Sequence, residues 1–225
     1  MRGNRNRPAR PHSIIKKIHA TRENVEKVID EAAAVIAGGG TIIFPTDTVY
    51  GIGCDPMRLD AVERIFSLKL RPQTKPLSLH LADVDEAIRH ARNDARAASF
   101  ARRFLPGPLT IIVERPPFID ARVSAGLPSI GLRVPDHAIC HALLRRCGPL
   151  AATSANFSGH PAFVGDGERE GLPEADLLID AGPTPLRAES TVLDLSSKEI
   201  RLIREGALTT DMIEQHIRYL QESQQ

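Results

Sequence analysis

Apolar positions recur at helical spacing in TRENVEKVIDEAAAVIAGGG, where Val25, Val28, Ile29, Ala32 and Ile36 share one stripe. Gly38 to Gly40 end that helix. A continuous apolar run then predicts a short buried strand over Thr41–Pro45. LDAVERIFSLKL repeats the helical pattern, and Leu77–Leu81 reads as the next strand. Val84–Phe104 is expected to be helical but broken near Asn93. Further strands are predicted at Leu109–Glu114, Ser129–Val134, Leu150–Thr153, Leu177–Ile179, Thr191–Leu195 and Ile200–Ile203. Helices are expected over His137–Arg146 and Thr210–Glu222. Strands and helices alternate early while short strands cluster late, which predicts an α/β domain on a mixed sheet. The least regular stretch, Asn156 to Pro173, is rich in glycine and bounded by prolines, and is expected to be a mobile loop over a site.

With 225 residues, 42% hydrophobic and 25% charged, the chain has the size and composition of one globular domain with short tails. No apolar run approaches membrane-spanning length, so no membrane partner is expected. The net charge of +1 hides an asymmetry. Residues 1–20 hold six basic side chains and no acidic one, against 23 basic and 28 acidic in the rest. That segment is expected to be a solvated basic extension, residues 21–210 the folded domain, and 211–225 a terminal helix and tail. Three cysteines, Cys54, Cys140 and Cys147, make no disulfide framework and fit a reducing cytoplasm. HAICHALLRRC invites a zinc reading through His137, Cys140, His141 and Cys147, but its spacing matches no common zinc module. Cys140 and Cys147 suit a buried helix stripe instead.

Walker and dinucleotide-binding glycine loops are absent from the sequence, as are carboxylate clusters that would chelate a metal. Any nucleotide must be held another way. LKLRPQTKPLSLHL sets Lys69, Arg71 and Lys75 within seven residues, stiffened by Pro72 and Pro76, with His80 on the strand beyond. Rigid cations suit a polyphosphate, since Arg forks onto phosphate oxygens and Lys acts as a point charge. A solvated basic helix end, favoured by the helix dipole, fits that segment equally well. PLAATSANFSG carries Thr153, Ser154, Asn156 and Ser158 past a strand tip; such residues bind ligands and also build plain turns. IIFPTDTVYGIGCDP ends a strand in Thr46, Asp47, Thr48 and Tyr50, then places Gly51 and Gly53 where a side chain would intrude. Ser190, Thr191 and Arg204 come from ESTVLDL and IRLIREG, Ser129 and Arg133 from SIGLRVPDH, and Thr110 from LPGPLTIIVER.

In order, PTDTVYGIGCDP, KLRPQTKPLSLHL, FLPGPLTIIV, GLRVPDH, AATSANFSG and AESTVLDL…LIREGAL resemble the YrdC/TsaC family, the threonylcarbamoyl-AMP synthases, over residues 22–210. The resemblance implies a single domain with a twisted mixed β-sheet flanked by helices and a concave basic ligand-binding face. It implies condensation of L-threonine, bicarbonate or CO2, and ATP into threonylcarbamoyl-AMP, releasing pyrophosphate, with Mg²⁺ held mainly by triphosphate and water. A downstream transferase then modifies tRNA. By the same resemblance Thr48, His80, Arg133, Ala152 and Ser190 line the threonine end. Arg71, Lys75, Ser129, Ser154, Ala162 and Arg204 line the ATP end, with Asn156 a further ATP-site residue by its place in the motif. Lys69 lies beside the phosphates, and Lys69 and Arg71 are the expected catalytic cations. Longer relatives carry a second domain, which this sequence is expected to lack. A different class of function, binding of tRNA or double-stranded RNA without synthesis, would draw on the basic face and the basic tail. The acidic balance beyond residue 20 and an aromatic content of 4% argue against a dedicated RNA reader.

Overall fold

In a strand, alternate residues take opposite faces, so each face can have its own chemistry. The computed structural model describes residues 16–92, 94–166 and 172–222. Its strands are β1 (Lys16–His19), β2 (Ile42–Phe44), β3 (Gly51–Cys54), β4 (Ser78–His80), β5 (Leu109–Glu114), β6 (Ser129–Arg133), β7 (Leu150–Ser154), β8 (Leu177–Asp180), β9 (Thr191–Asp194) and β10 (Arg201–Arg204). The helices are α1 (Val25–Ala37), α2 (Leu59–Leu68), α3 (Val84–His90), α4 (Ala95–Phe104), α5 (Ala138–Cys147) and α6 (Thr210–Glu222). One mixed sheet joins all ten strands in the order β1-β8-β2-β3-β7-β4-β6-β5-β9-β10.

The two faces of the sheet differ. Ile52, Cys54, Leu79, Ile111, Val113, Ile130, Leu132 and Leu193 point to one side and join Val62, Ile65, Ala87, Phe100 and Ile213 of the helices in the larger core. Each such Val, Leu, Ile or Phe side chain, fully buried, contributes about 1.5–3 kcal/mol. On the other side α1 and α5 pack with Ile42, Phe44, Leu150, Leu177 and Ile179, covering only one end of the sheet. Val28, Ile29, Ala32 and Ile36 form the buried stripe of α1, and Cys140 lies in the same cluster with Leu143 and Leu144. This is the buried helix stripe expected for Cys140. The remainder of this face, from β7 towards β10, holds mostly small and polar residues, with Ile112 and Val192 among them.

Two strands depart from the sequence reading. Lys16–His19 lies inside the segment read as a solvated extension, yet pairs in parallel with Leu177–Asp180, with Lys17 2.8 Å from Asp180. Residues 1–15 fall outside the described part of the chain. Gly51–Cys54, read only as flexible backbone, is an inner strand between β2 and β7. Its glycines fit because a Cβ at Gly51 or Gly53 would stand 3.1 Å from the Phe44 ring. The break within the helical stretch falls where expected, between α3 and α4. No described helix is long and apolar enough to cross a membrane.

Candidate functional site

Across the middle of the sheet Gly53, Ala152, Ser78, Gly131 and Ile112 stand opposite one another in register. Residues opposed in a ladder share a face, so this row forms a floor of mostly small side chains. Gly131 permits the close approach: a Cβ there would lie 2.7 Å from Ser78 Oγ and 2.9 Å from Thr110 Cγ2. Above the floor opens a cavity of about 340 Å³.

One end of the cavity is buried. His80 and Arg133 are register partners on β4 and β6 and both line it. Behind them Arg133 Nη2 donates to Asp47 Oδ1 at 2.5 Å, and both residues are 4% exposed. Asp47 Oδ2, Arg133 Nε and His80 Nδ1 are buried with no hydrogen-bond partner among the described residues. A buried polar atom left unpaired costs about 1–3 kcal/mol, so this end is suited to a ligand that supplies polar groups. Burial, then the neighbouring Arg133, pushes the His80 imidazole down to about 3, keeping it neutral near pH 7. Hydroxyls complete this end. Ser190 Oγ and Thr110 Oγ1 lie 2.9 Å apart, and both residues line the cavity.

The other end is open and cationic. Arg71 is braced by its own turn, Nε donating to Lys75 O at 3.0 Å and Nη2 to Pro76 O at 2.9 Å. Arg204 donates from Nη2 to Ser190 O at 2.8 Å and from Nη1 to Glu189 Oε2 at 2.9 Å. Lys75 is exposed. Arg71, Lys75, Arg204, Ser129 and Ser154 all line the cavity, as does Ala152 between the two ends.

Four residues expected at the site lie off the cavity wall. Thr48 is buried behind Thr46, their hydroxyl oxygens 3.1 Å apart, and it is Thr46 that lines the cavity. Lys69 is 1% exposed and donates to the carbonyls of Ser154 and Asn156. Asn156 faces inward along its own loop: its Oδ1 accepts from Ser154 Oγ at 2.6 Å and its Nδ2 donates to Phe157 O at 3.1 Å. Ala162 is half-buried on the segment where Tyr50 N donates to Phe163 O at 2.9 Å. That segment was read as a mobile loop; its residues 167–171 lie outside the described part. Thr46, Tyr50 and Glu189 line the cavity without having been assigned a role. The first two stood in the PTDTVYG run, so their proximity was the available signal. Glu189 gave none, because a carboxylate beside a cationic site reads as surface charge.

Among the described residues no three His, Cys, Asp or Glu side chains are grouped to hold a metal ion. Glu189, a carboxylate on the cavity wall, is already engaged by Arg204.

Residues 34–206 match the Sua5/YciO/YrdC family model, described as telomere recombination. Threonylcarbamoyl-AMP synthase of Bacillus subtilis is 38% identical over 198 residues, 83% of this chain and 55% of that protein. A putative threonylcarbamoyl-AMP synthase of Methanocaldococcus jannaschii is 35% identical over 199 residues, 88% of this chain and 94% of that one. The crystal structure of Pyrococcus abyssi Sua5 complexed with L-threonine superposes with a TM-score of 0.83 at 35% identity. It covers 91% of this chain and 61% of its own. The chain therefore spans little more than half the length of the Bacillus and Pyrococcus proteins.

Proposed function

The chain belongs to the Sua5/YciO/YrdC family, and on that premise we propose that it makes threonylcarbamoyl-AMP from L-threonine, bicarbonate or CO2, and ATP. The observation that carries this reading is one cavity with two unlike ends. His80 and the Arg133–Asp47 pair form a buried polar end, while Arg71, Lys75 and Arg204 form an open cationic end. Threonine fits the first: its carboxylate pairs with Arg133, and its hydroxyl meets the Ser190–Thr110 or Thr46 hydroxyls. Triphosphate fits the second, with Ser129 as a neutral donor, while Ser154, whose hydroxyl hydrogen goes to Asn156 Oδ1, offers its lone pairs to a donor group of the nucleotide.

The reaction then needs no covalent enzyme intermediate. The threonine amine adds to the carbon of CO2 and loses a proton, giving a carbamate. A carbamate oxygen attacks the α-phosphorus in line as the bond to the β-phosphate oxygen breaks, and pyrophosphate leaves. Two anions must approach each other, so the protein contributes alignment and fixed positive charge. Arg71 and Arg204 are held by backbone carbonyls and reorganise little as charge moves onto pyrophosphate. Mg²⁺ enters with the nucleotide, as part of the substrate. The adenylate passes to a tRNA-modifying transferase in the cytoplasm.

Pyrophosphate release tests this reading. It should require threonine and bicarbonate together. Arg71→Ala should abolish it without lowering the melting temperature by more than a few degrees, since half-exposed cations add little to stability. Parental turnover by a folded Arg71→Ala protein would overturn the phosphate assignment.

A further inference from the structure

Lys69 and Arg71 stand two residues apart and go opposite ways. Lys69 N still donates to Ile65 O at 3.1 Å, closing α2, while Arg71 N reaches back to Phe66 O at 2.9 Å. Between them Leu70 sits at φ 49°, in the left-handed region, and is 78% exposed. Through this turn Arg71 reaches the cavity wall, and the Lys69 side chain runs beneath the segment that follows β7.

An ammonium has three donors and no acceptor. In Lys69 two of them meet the carbonyls of Ser154 and Asn156, and Nζ is 3.3 Å from Asn156 Oδ1. All three are engaged within the protein. The backbone closes the ring from the other side, Ser158 N donating to Lys69 O at 3.0 Å. The same Asn156 Oδ1 accepts from Ser154 Oγ at 2.6 Å, so the Ser154 hydroxyl takes its direction from a residue that Lys69 fixes. Burial, then Arg71, lowers the amine to about 7 against an opposing pull from Glu189, in keeping with a group removed from water.

We infer that Lys69 is a positioning residue: its buried amine cross-links the Ser154–Ser158 segment to the end of α2 and sets Ser154 at the cavity, without itself touching the nucleotide. This rests on the reading of the cavity as an ATP site. It assigns the phosphate contacts to Arg71, Lys75 and Arg204 and gives Lys69 and Asn156 a role one layer behind them.

Two measurements test it. In the unaltered protein, lysine acetylation followed by peptide mass spectrometry should leave Lys69 unmodified with or without ATP. Lys75 should react in free protein and be protected by ATP. Reaction of Lys69 in free protein, with protection by ATP, would overturn the inference. Amide hydrogen exchange without any ligand is the second measurement. Lys69→Met should speed exchange across 154–160 by at least tenfold, and Lys75→Ala should leave it unchanged; unchanged exchange in Lys69→Met would also overturn the inference. Adenosine and ATP binding should weaken by the same factor in Lys69→Met, whereas a phosphate contact would weaken ATP alone. If Lys69→Met does not fold, acetylation of the unaltered chain decides. If the parent binds no ATP, the proposed function fails, and the exchange result still judges the cross-link.

Discussion

The two ends of the cavity recognise by different physics. At the buried end Arg133 and Asp47 pair at 4% exposure, and His80 beside them is held neutral. Charges there are costly to desolvate and act at full strength once matched. At the open end Lys75 is exposed and Arg204 is partly in water, so their field is screened by salt. The contrast teaches a division of labour. On the proposed function, the buried end would discriminate by leaving mismatched groups unpaired, and the open end would gather and neutralise the phosphate charge that any nucleoside triphosphate carries.

The largest test breaks the buried end. Arg133→Met leaves Asp47 as an unpaired buried charge and should cost about 3–5 kcal/mol of stability, read by urea unfolding. Arg204→Ala should cost under about 1 kcal/mol, because its ion pair with Glu189 is 41% exposed on both sides. Equal losses would erase the proposed difference between the ends.

Next is Lys75, whose role is read as geometric. Lys75→Ala should lower kcat/KM by the value of a charge-assisted hydrogen bond, about 1.5–3 kcal/mol, while Lys75→Asn keeps a donor and retains much activity. Equal large losses would show that charge matters there more than geometry.

Substrate choice sharpens the buried end. Pyrophosphate release should be strongest with threonine, weaker with serine and least with valine, whose methyl leaves a hydroxyl partner unmatched at about 1–3 kcal/mol. Valine turnover equal to threonine would contradict the pocket assignment.

A pH dependence follows from the buried end as well. His80 has a folded value of about 3 against an ordinary 6.5. Between these values the unfolded chain binds a proton that the folded one does not, so stability falls as pH drops below 6.5. His80→Asn should flatten the stability curve in that window by up to one proton. An unchanged slope would argue that His80 is charged in the fold.

Much of this was legible in the sequence, for identifiable reasons. Leu109–Glu114 and Thr210–Glu222 keep their expected bounds because an uninterrupted apolar run and a helical stripe with clear ends each dictate one element. Gly51–Cys54 escaped because two glycines in four residues signal a loop, and only the Phe44 ring beneath explains them. Lys16–His19 escaped because an edge strand needs no apolar face, and its partner lies 161 residues away. At the site, strand-tip residues such as Ser190, Arg133 and Ser154 were visible as motifs. The Asp47–Arg133 pair spans 86 residues and carries no local signature. The burial of Lys69 was hidden for a physical reason. A lysine in a basic run reads as a solvated cation, and only backbone carbonyls brought from 85 residues away reveal it as buried.

The most direct measurement incubates the purified protein with ATP, Mg²⁺, isotopically labelled bicarbonate and L-threonine, then searches for the adenylate by mass spectrometry. The account predicts threonylcarbamoyl-AMP carrying the bicarbonate label, formed with threonine and absent when ATP or bicarbonate is withheld. A folded protein that binds ATP and threonine yet forms no labelled adenylate would contradict it.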